Sequence, residues 1–323
     1  FENILGDTPK ELTAAFTSQF GAASMAGDPP DLTLDSEEDP EVVVSSLKVL
    51  ASIQQGAQLR SDVVDKLEAP LNPDFDGGLI VASEKGEAIE MDYGLSFTVV
   101  GPMLPELKKL HAKHQEWLKE LAKQGKTPED VLSAYVDKSV PNLSSIVVLA
   151  EAGGKRILLT GDARGDKILE GLELAGLMEK GGTIHVDLLK VPHHGSSNNL
   201  DDDFFQRITA DHYVFSGDGE HGNPERESLR MLLDARGDAE YEIHLTYPIE
   251  DIDVERKKDW EKEQAKEKAR QEKNPDREVR PDWSPEEHSL KAFFDQHQDF
   301  RKKVRVVEDE KPHVIDLLDE VGF

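Results

Sequence analysis

The sequence predicts an α/β protein, and three observations carry that expectation. From residue 142 onward, aliphatic runs of strand length alternate with amphipathic stretches of helical length. Two of the apolar runs are joined by Ala152-Gly153-Gly154-Lys155, a hairpin turn. Three later runs each end in a polar loop containing Asp or His, where strands of an open α/β sheet present side chains for binding.

Helix starts are marked by a capping residue followed by proline at Thr8-Pro9, Asp39-Pro40, Thr127-Pro128, Asn223-Pro224 and Ser284-Pro285. These signals predict helices near 9–20, 41–55, 105–123, 128–137, 166–178, 224–235, 253–272 and 285–299. Strands are expected at Gly78–Ser83, Leu95–Val100, Ser145–Glu151, Arg156–Thr160, His185–Val191, His212–Ser216 and Tyr241–Thr246. Arg301–Val307 and His313–Leu317 read as a closing hairpin. The resulting division is an acidic N-terminal part at 1–101, a helical insertion at 102–141 and the α/β half at 142–249. A charged helical arm at 250–300 and the hairpin at 301–323 complete it.

The chain has 323 residues, which suits one large domain or two ordinary ones. Lys and Arg number 38 against 66 Asp and Glu, a net charge of −28. That balance makes unaided gripping of a phosphate backbone doubtful and disfavours a basic membrane-surface binder. No stretch approaches the ~18 apolar residues of a membrane span. Cysteine is absent, which removes disulfides, thiolate metal sites and cysteine nucleophiles. The expected location is cytoplasmic.

The chemistry-bearing residues sit at the strand ends. Arg156–Thr160 runs into Gly161-Asp162. His185–Val191 runs into Pro192-His193-His194-Gly195-Ser196-Ser197, where two imidazoles enter a turn too polar to bury them. Imidazole is the commonest metal ligand and a ready proton carrier. His212–Ser216 leads into Gly217-Asp218-Gly219-Glu220-His221-Gly222-Asn223-Pro224. If the three strands are parallel neighbours, these loops converge on one sheet edge. Read blandly, each loop is only a turn with surface side chains. Asp251, Asp253 and Glu255 read as solvated acids, and Trp117, Trp260 and Trp283 as packing anchors of the helical insertions.

Four motif elements occur in order: Asn142-Leu143-Ser144-Ser145, Leu158-Leu159-Thr160-Gly161-Asp162, Leu188–Ser196 and, more loosely, Ser216-Gly217 with His221–Pro224. Over roughly residues 78–248 the chain resembles the metallo-β-lactamase fold, in the branch of the ComEC-type competence-protein hydrolases. The resemblance implies an αββα sandwich, here carrying helical insertions and lacking part of its N-terminal half. It further implies two divalent metal ions, Zn²⁺ or Mn²⁺, that activate a water toward a phosphoester substrate, as in a phosphodiesterase or nuclease. On that footing Asp162 and His193 are metal ligands and His194 and His221 catalytic groups, with the choice between His193 and His194 as ligand left open. Asn142, Ser196, Ser197 and Asp218 would meet the substrate.

One family motif, H-x-[HD]-x-D-H, is missing from the sequence. His111 and His114, three apart on a Lys-rich helix, read as surface residues. Three explanations compete: the motif lies upstream of Phe1, a second polypeptide supplies it, or the hydrolase is degenerate. The first is the expectation. The last leads to the alternative function, an interaction or effector subunit that docks a protein partner through the 250–300 arm.

Overall fold

The computed structural model describes residues 59, 61–108, 144–308, 311–318 and 321. Its contacts divide the chain into two units, residues 1–81 with 102–144 and residues 82–101 with 145–323. In the first unit the described segments are short: a π-helical turn at Asp62–Lys66, a 3₁₀ turn at Pro73–Phe75 and helical residues 104–108. The helices expected at 9–20, 41–55 and 128–137, and most of 105–123, lie outside the described residues.

The second unit is mixed α/β around one eight-stranded sheet. Its strands are β1 (Ile89–Glu90), β2 (Ser96–Gly101), β3 (Val147–Ala152), β4 (Lys155–Leu159), β5 (Ile184–Lys190), β6 (Ile208–Phe215), β7 (Glu242–Leu245) and β8 (Val304–Val306). They lie in the sheet in chain order. Strands β1 to β4 pair antiparallel, and β4 to β8 pair parallel. The Gly153-Gly154 turn sets Ala152 opposite Lys155, as the hairpin signal predicted.

Helices α1 (Gly165–Leu174), α2 (Phe204–Arg207) and α3 (Arg226–Arg236) are the crossovers of the parallel half, and α4 (Ile249–Lys273), α5 (Pro285–His288), α6 (Leu290–Gln296) and α7 (Gln298–Lys302) precede β8. Right-handed crossovers that always advance in one direction place their helices on one face. The core agrees. Leu158, Leu189, Tyr213, Ile243 and Val304 from successive strands pack with Ile168 and Leu172 of α1, Leu229 and Leu232 of α3, and Phe293 and Phe294 of α6. Alternation along a strand then puts His212, Glu242, His244 and Arg305 on the other face.

Residues 82–101 group with 145–323 in one unit, and β2 pairs antiparallel with β3. A second sheet, as in a sandwich, is not found among the described residues.

Several sequence expectations need correction. Residues 78–83 contribute only an isolated bridge at Ala82, because Gly78 N–H turns back to Phe75 O at 2.7 Å. The helix expected at 285–299 is three pieces: Ser289 caps α6 by accepting from Ala292 N–H, and the Asp253 carboxylate accepts from Leu290 and Lys291 N–H. Asp253 is therefore not a solvated acid but a fixed acceptor, and burial pushes its carboxyl up. The closing hairpin does not form. β8 pairs parallel with β7, and residues 311–318 carry no strand. Pro312 brings no donor to a ladder, and His313 is turned onto His244 instead.

The 250–300 arm folds back on itself. Trp260 Nε1 donates to Pro281 O at 2.9 Å, and Arg280 grips the Glu267 carboxylate through two nitrogens. Trp260, Trp283 and His288 form a ring cluster, so the two described tryptophans are packing anchors. Trp117 lies outside the described residues.

Candidate functional site

The parallel register of β4, β5 and β6 brings the three polar loops to one edge of the sheet. The first two are stitched by backbone and side-chain hydrogen bonds. His193 N–H donates to Gly161 O at 3.1 Å, Thr160 Oγ1 to Lys190 O at 2.7 Å, and Lys190 Nζ to Gly161 O at 2.8 Å. Burial pushes the Lys190 ammonium down, and the Asp162 charge opposes that shift. Asp162 itself is placed by its own N–H donating to Ser145 Oγ.

The His-His turn is unusual in its backbone. His193 and His194 both take left-handed conformations, with φ of 47° and 56°. Gly195 follows with φ of 87°, where a Cβ would stand 2.6 Å from the Phe215 ring. Glycine is required there. The turn aims the half-exposed His194 ring between the neighbouring loops: its Nε2 lies 3.6 Å from Asp162 Oδ1, and its Nδ1 lies 3.1 Å from Ser216 Oγ. The imidazole beside the carboxylate is thus His194, and the His193 ring stands edge-on to it with centroids 6.3 Å apart.

The remaining predicted residues have different positions. Ser196 and Ser197 both donate their hydroxyls to the Glu225 carboxylate at the start of α3. Asp218 accepts from Glu220 N–H, closing an Asx-type turn. His221, with φ of 55°, faces α4, where its charge lowers and burial more strongly raises the Asp259 carboxyl. Arg256 of α4 braces the same loop by donating to Gly222 O, Pro224 O and His288 O. Asn142 lies outside the described residues.

Chemically, the strand ends supply one carboxylate and one imidazole, close enough to share a proton or a cation. Among the described residues, Asp162 and His194 are not part of a group of three His, Asp or Glu whose ligand atoms all lie within 4.8 Å of one another. Two such groups would leave a divalent ion largely hydrated, so a water-activating metal centre here would draw on ligands beyond this pair.

A different cluster was missed by the sequence reading. His212, Glu242 and His244 converge on the sheet face away from the helices, and all their candidate ligand atoms lie within 4.8 Å of one another. Burial, together with the adjoining His212 and His313, pushes the His244 imidazole down to about 3. The alternation Tyr241-Glu242-Ile243-His244-Leu245 is a signal that one strand face presents a carboxylate and an imidazole together.

No protein-family model matches the chain. No solved structure matches it either. The chain is similar to microtubule-associated protein 1A of Rattus norvegicus, 32% identical over 139 residues, which covers 41% of this chain and 5% of that protein. The Homo sapiens protein of the same name is 31% identical over 134 residues, again 41% of this chain and 5% of that protein. Microtubule-associated protein futsch of Drosophila melanogaster is 39% identical over 79 residues, 24% of this chain and 1% of that protein. The chain thus spans about one twentieth or less of the length of these relatives. No helix among the described residues is long and apolar enough to cross a membrane.

Proposed function

We propose that this chain is a metallo-β-lactamase-like module that acts by binding a protein partner rather than by turnover, as part of a microtubule-associated, cytoplasmic assembly. The observation that carries this reading is the Asp162–His194 pair: the strand ends converge, and the polar groups they set face to face are one carboxylate and one imidazole, with His194 Nε2 3.6 Å from Asp162 Oδ1. Similarity to proteins named as microtubule-associated supports the same direction. The −28 charge favours a partner with a basic surface and makes the association sensitive to salt. Helix α4, lined with Lys and Glu, is the docking element in this reading.

The test is co-sedimentation of the full chain with microtubules that retain their associated proteins. Pelleting that falls as salt is raised, equal for the wild type and for Asp162→Ala with His193→Ala, supports the reading. A parallel assay follows hydrolysis of bis(p-nitrophenyl) phosphate with added Zn²⁺ or Mn²⁺. Absence of pelleting overturns the binding role, and metal-dependent hydrolysis lost in Asp162→Ala overturns the non-catalytic one.

A second reading, a metal-dependent phosphodiesterase or nuclease, is favoured by one observation. His193, His194 and His221 all hold left-handed backbone in the strand-end loops. Such conformations cost about 1–3 kcal/mol each and cluster at functional sites. In that reading Asp162 and His193 or His194 would hold metal, His221 would serve proton transfer, and the remaining ligands would come from elsewhere.

A further inference from the structure

We propose that His212, Glu242 and His244 form a three-ligand site for a single divalent transition metal ion, Zn²⁺ by preference, on the sheet face opposite the helices. It shares no residue with the strand-end loops and does not depend on the binding role above.

The site follows from strand register. Glu242 and His244 are two apart on β7 and therefore share a face, and β6 pairs His212 directly with Glu242. His212 Nδ1 and His244 Nε2 are 3.0 Å apart, and Glu242 Oε2 lies 3.7 Å from the first and 3.6 Å from the second. Ligand atoms bound to one tetrahedral zinc at 2.0–2.1 Å stand ~3.3 Å from one another, so the three atoms bracket that spacing. Both imidazoles are buried, at 6% and 3% exposure. Two buried imidazoles together with one carboxylate suit zinc and its transition-metal neighbours rather than Mg²⁺ or Ca²⁺.

The groups behind the ligands are those a metal site uses. A ligating histidine normally gives its other N–H to an acceptor that fixes the tautomer. His244 Nδ1 lies 3.0 Å from His313 Nε2, which can take that proton and leave Nε2 of His244 as a lone-pair donor. Glu242 Oε1 is held at 2.6 Å by Arg305 Nη2, leaving Oε2 turned to the imidazoles. The ligands open on a cleft of about 780 Å³ whose lining includes His313 and Asp316, room for a water or a substrate group to complete the coordination. Without metal, the same atoms would form a chain of N–H···N hydrogen bonds from His212 through His244 to His313, and that is the competing account.

The experiment strips the full chain with chelator, titrates Zn²⁺ against a chromophoric chelator, and repeats the titration with Co²⁺ to read its visible spectrum. Stoichiometric binding of one equivalent is expected, retained in Asp162→Ala with His193→Ala. Glu242→Gln and His212→Gln should each weaken it by roughly 100-fold or more, and His313→Ala by about tenfold through loss of the proton acceptor. No stoichiometric Zn²⁺ or Co²⁺ binding, or binding unchanged by Glu242→Gln, overturns the proposal in favour of the hydrogen-bonded chain. Should the variants fail to fold, X-ray absorption on the zinc-loaded wild type decides. Two imidazoles around the metal support the site, and none overturns it.

Discussion

His194 meets Asp162 with Nε2 3.6 Å from Oδ1, and it does so from a backbone φ of 56° that a side-chain-bearing residue adopts only at a cost. The ring is half exposed, and a contact of that kind with a carboxylate adds little in water. The fold therefore gains little from keeping a histidine there beyond the contact of Nδ1 with Ser216 Oγ. His194→Gly relieves the left-handed strain and should raise stability by about 0.5–1 kcal/mol in urea unfolding. A loss of stability would show that the imidazole serves the fold.

Arg256 should not tolerate even its closest replacement. Its guanidinium is nearly buried on α4 and donates to three backbone carbonyls, those of Gly222, Pro224 and His288. Lysine carries charge but not the planar fork, so Arg256→Lys strands at least one carbonyl. The expected cost is about 1–3 kcal/mol, read from the shift in denaturation midpoint at constant slope.

Gly219 is where α4 closes on the third strand-end loop. With φ of 107°, a Cβ there would stand 2.3 Å from Ile252 O. That neighbour is helix backbone and cannot swing away. Gly219→Ala should cost about 2–3 kcal/mol and make the 250–300 arm the first site of limited proteolysis.

Glu173 gives the protein a predictable acid limb. Its carboxylate accepts from Gly181 N–H and from Arg207 Nη2, which hold it below the usual glutamate value of 4.5, the backbone donor most strongly. A carboxyl lowered in the folded state stabilises above its unfolded value, and that contribution disappears as pH falls through the folded one. Melting curves of wild type and Glu173→Gln should therefore separate near neutral pH and converge in acid. Curves that stay parallel across the range would show that the pair contributes no linkage.

The parts of this fold visible in the sequence are those written in local pattern. The Gly153-Gly154 turn, the aliphatic runs of β3 to β6 and the polar loops that end them are contiguous signals, and all three loops arrive at one sheet edge. The identity of the imidazole beside Asp162 was not visible, because the left-handed turn at His193 and His194 decides which ring points where. The His212–Glu242–His244 group was missed for another reason. Its members sit on separate strands, and only the β6–β7 register sets His212 beside Glu242. Asp253 misled in the opposite direction: its acidic neighbours in sequence suggested solvent, whereas the start of α6 folds onto its carboxylate.

The sheet keeps its eight strands in the order of the chain. During synthesis, each new strand therefore finds its first partner already made, and none has to be threaded between two that are already paired. The sheet grows at a single advancing edge, with partners close along the chain, the arrangement that keeps the entropy of loop closure low. Two pairings reach further along the chain: β3 joins β2 across residues 102–146, and β8, three residues long, can join β7 only after the whole of α4 to α7 has left the ribosome. Until then β7 is an open edge carrying Glu242 and His244, so the last strand to arrive is also the one that brings Arg305 to Glu242.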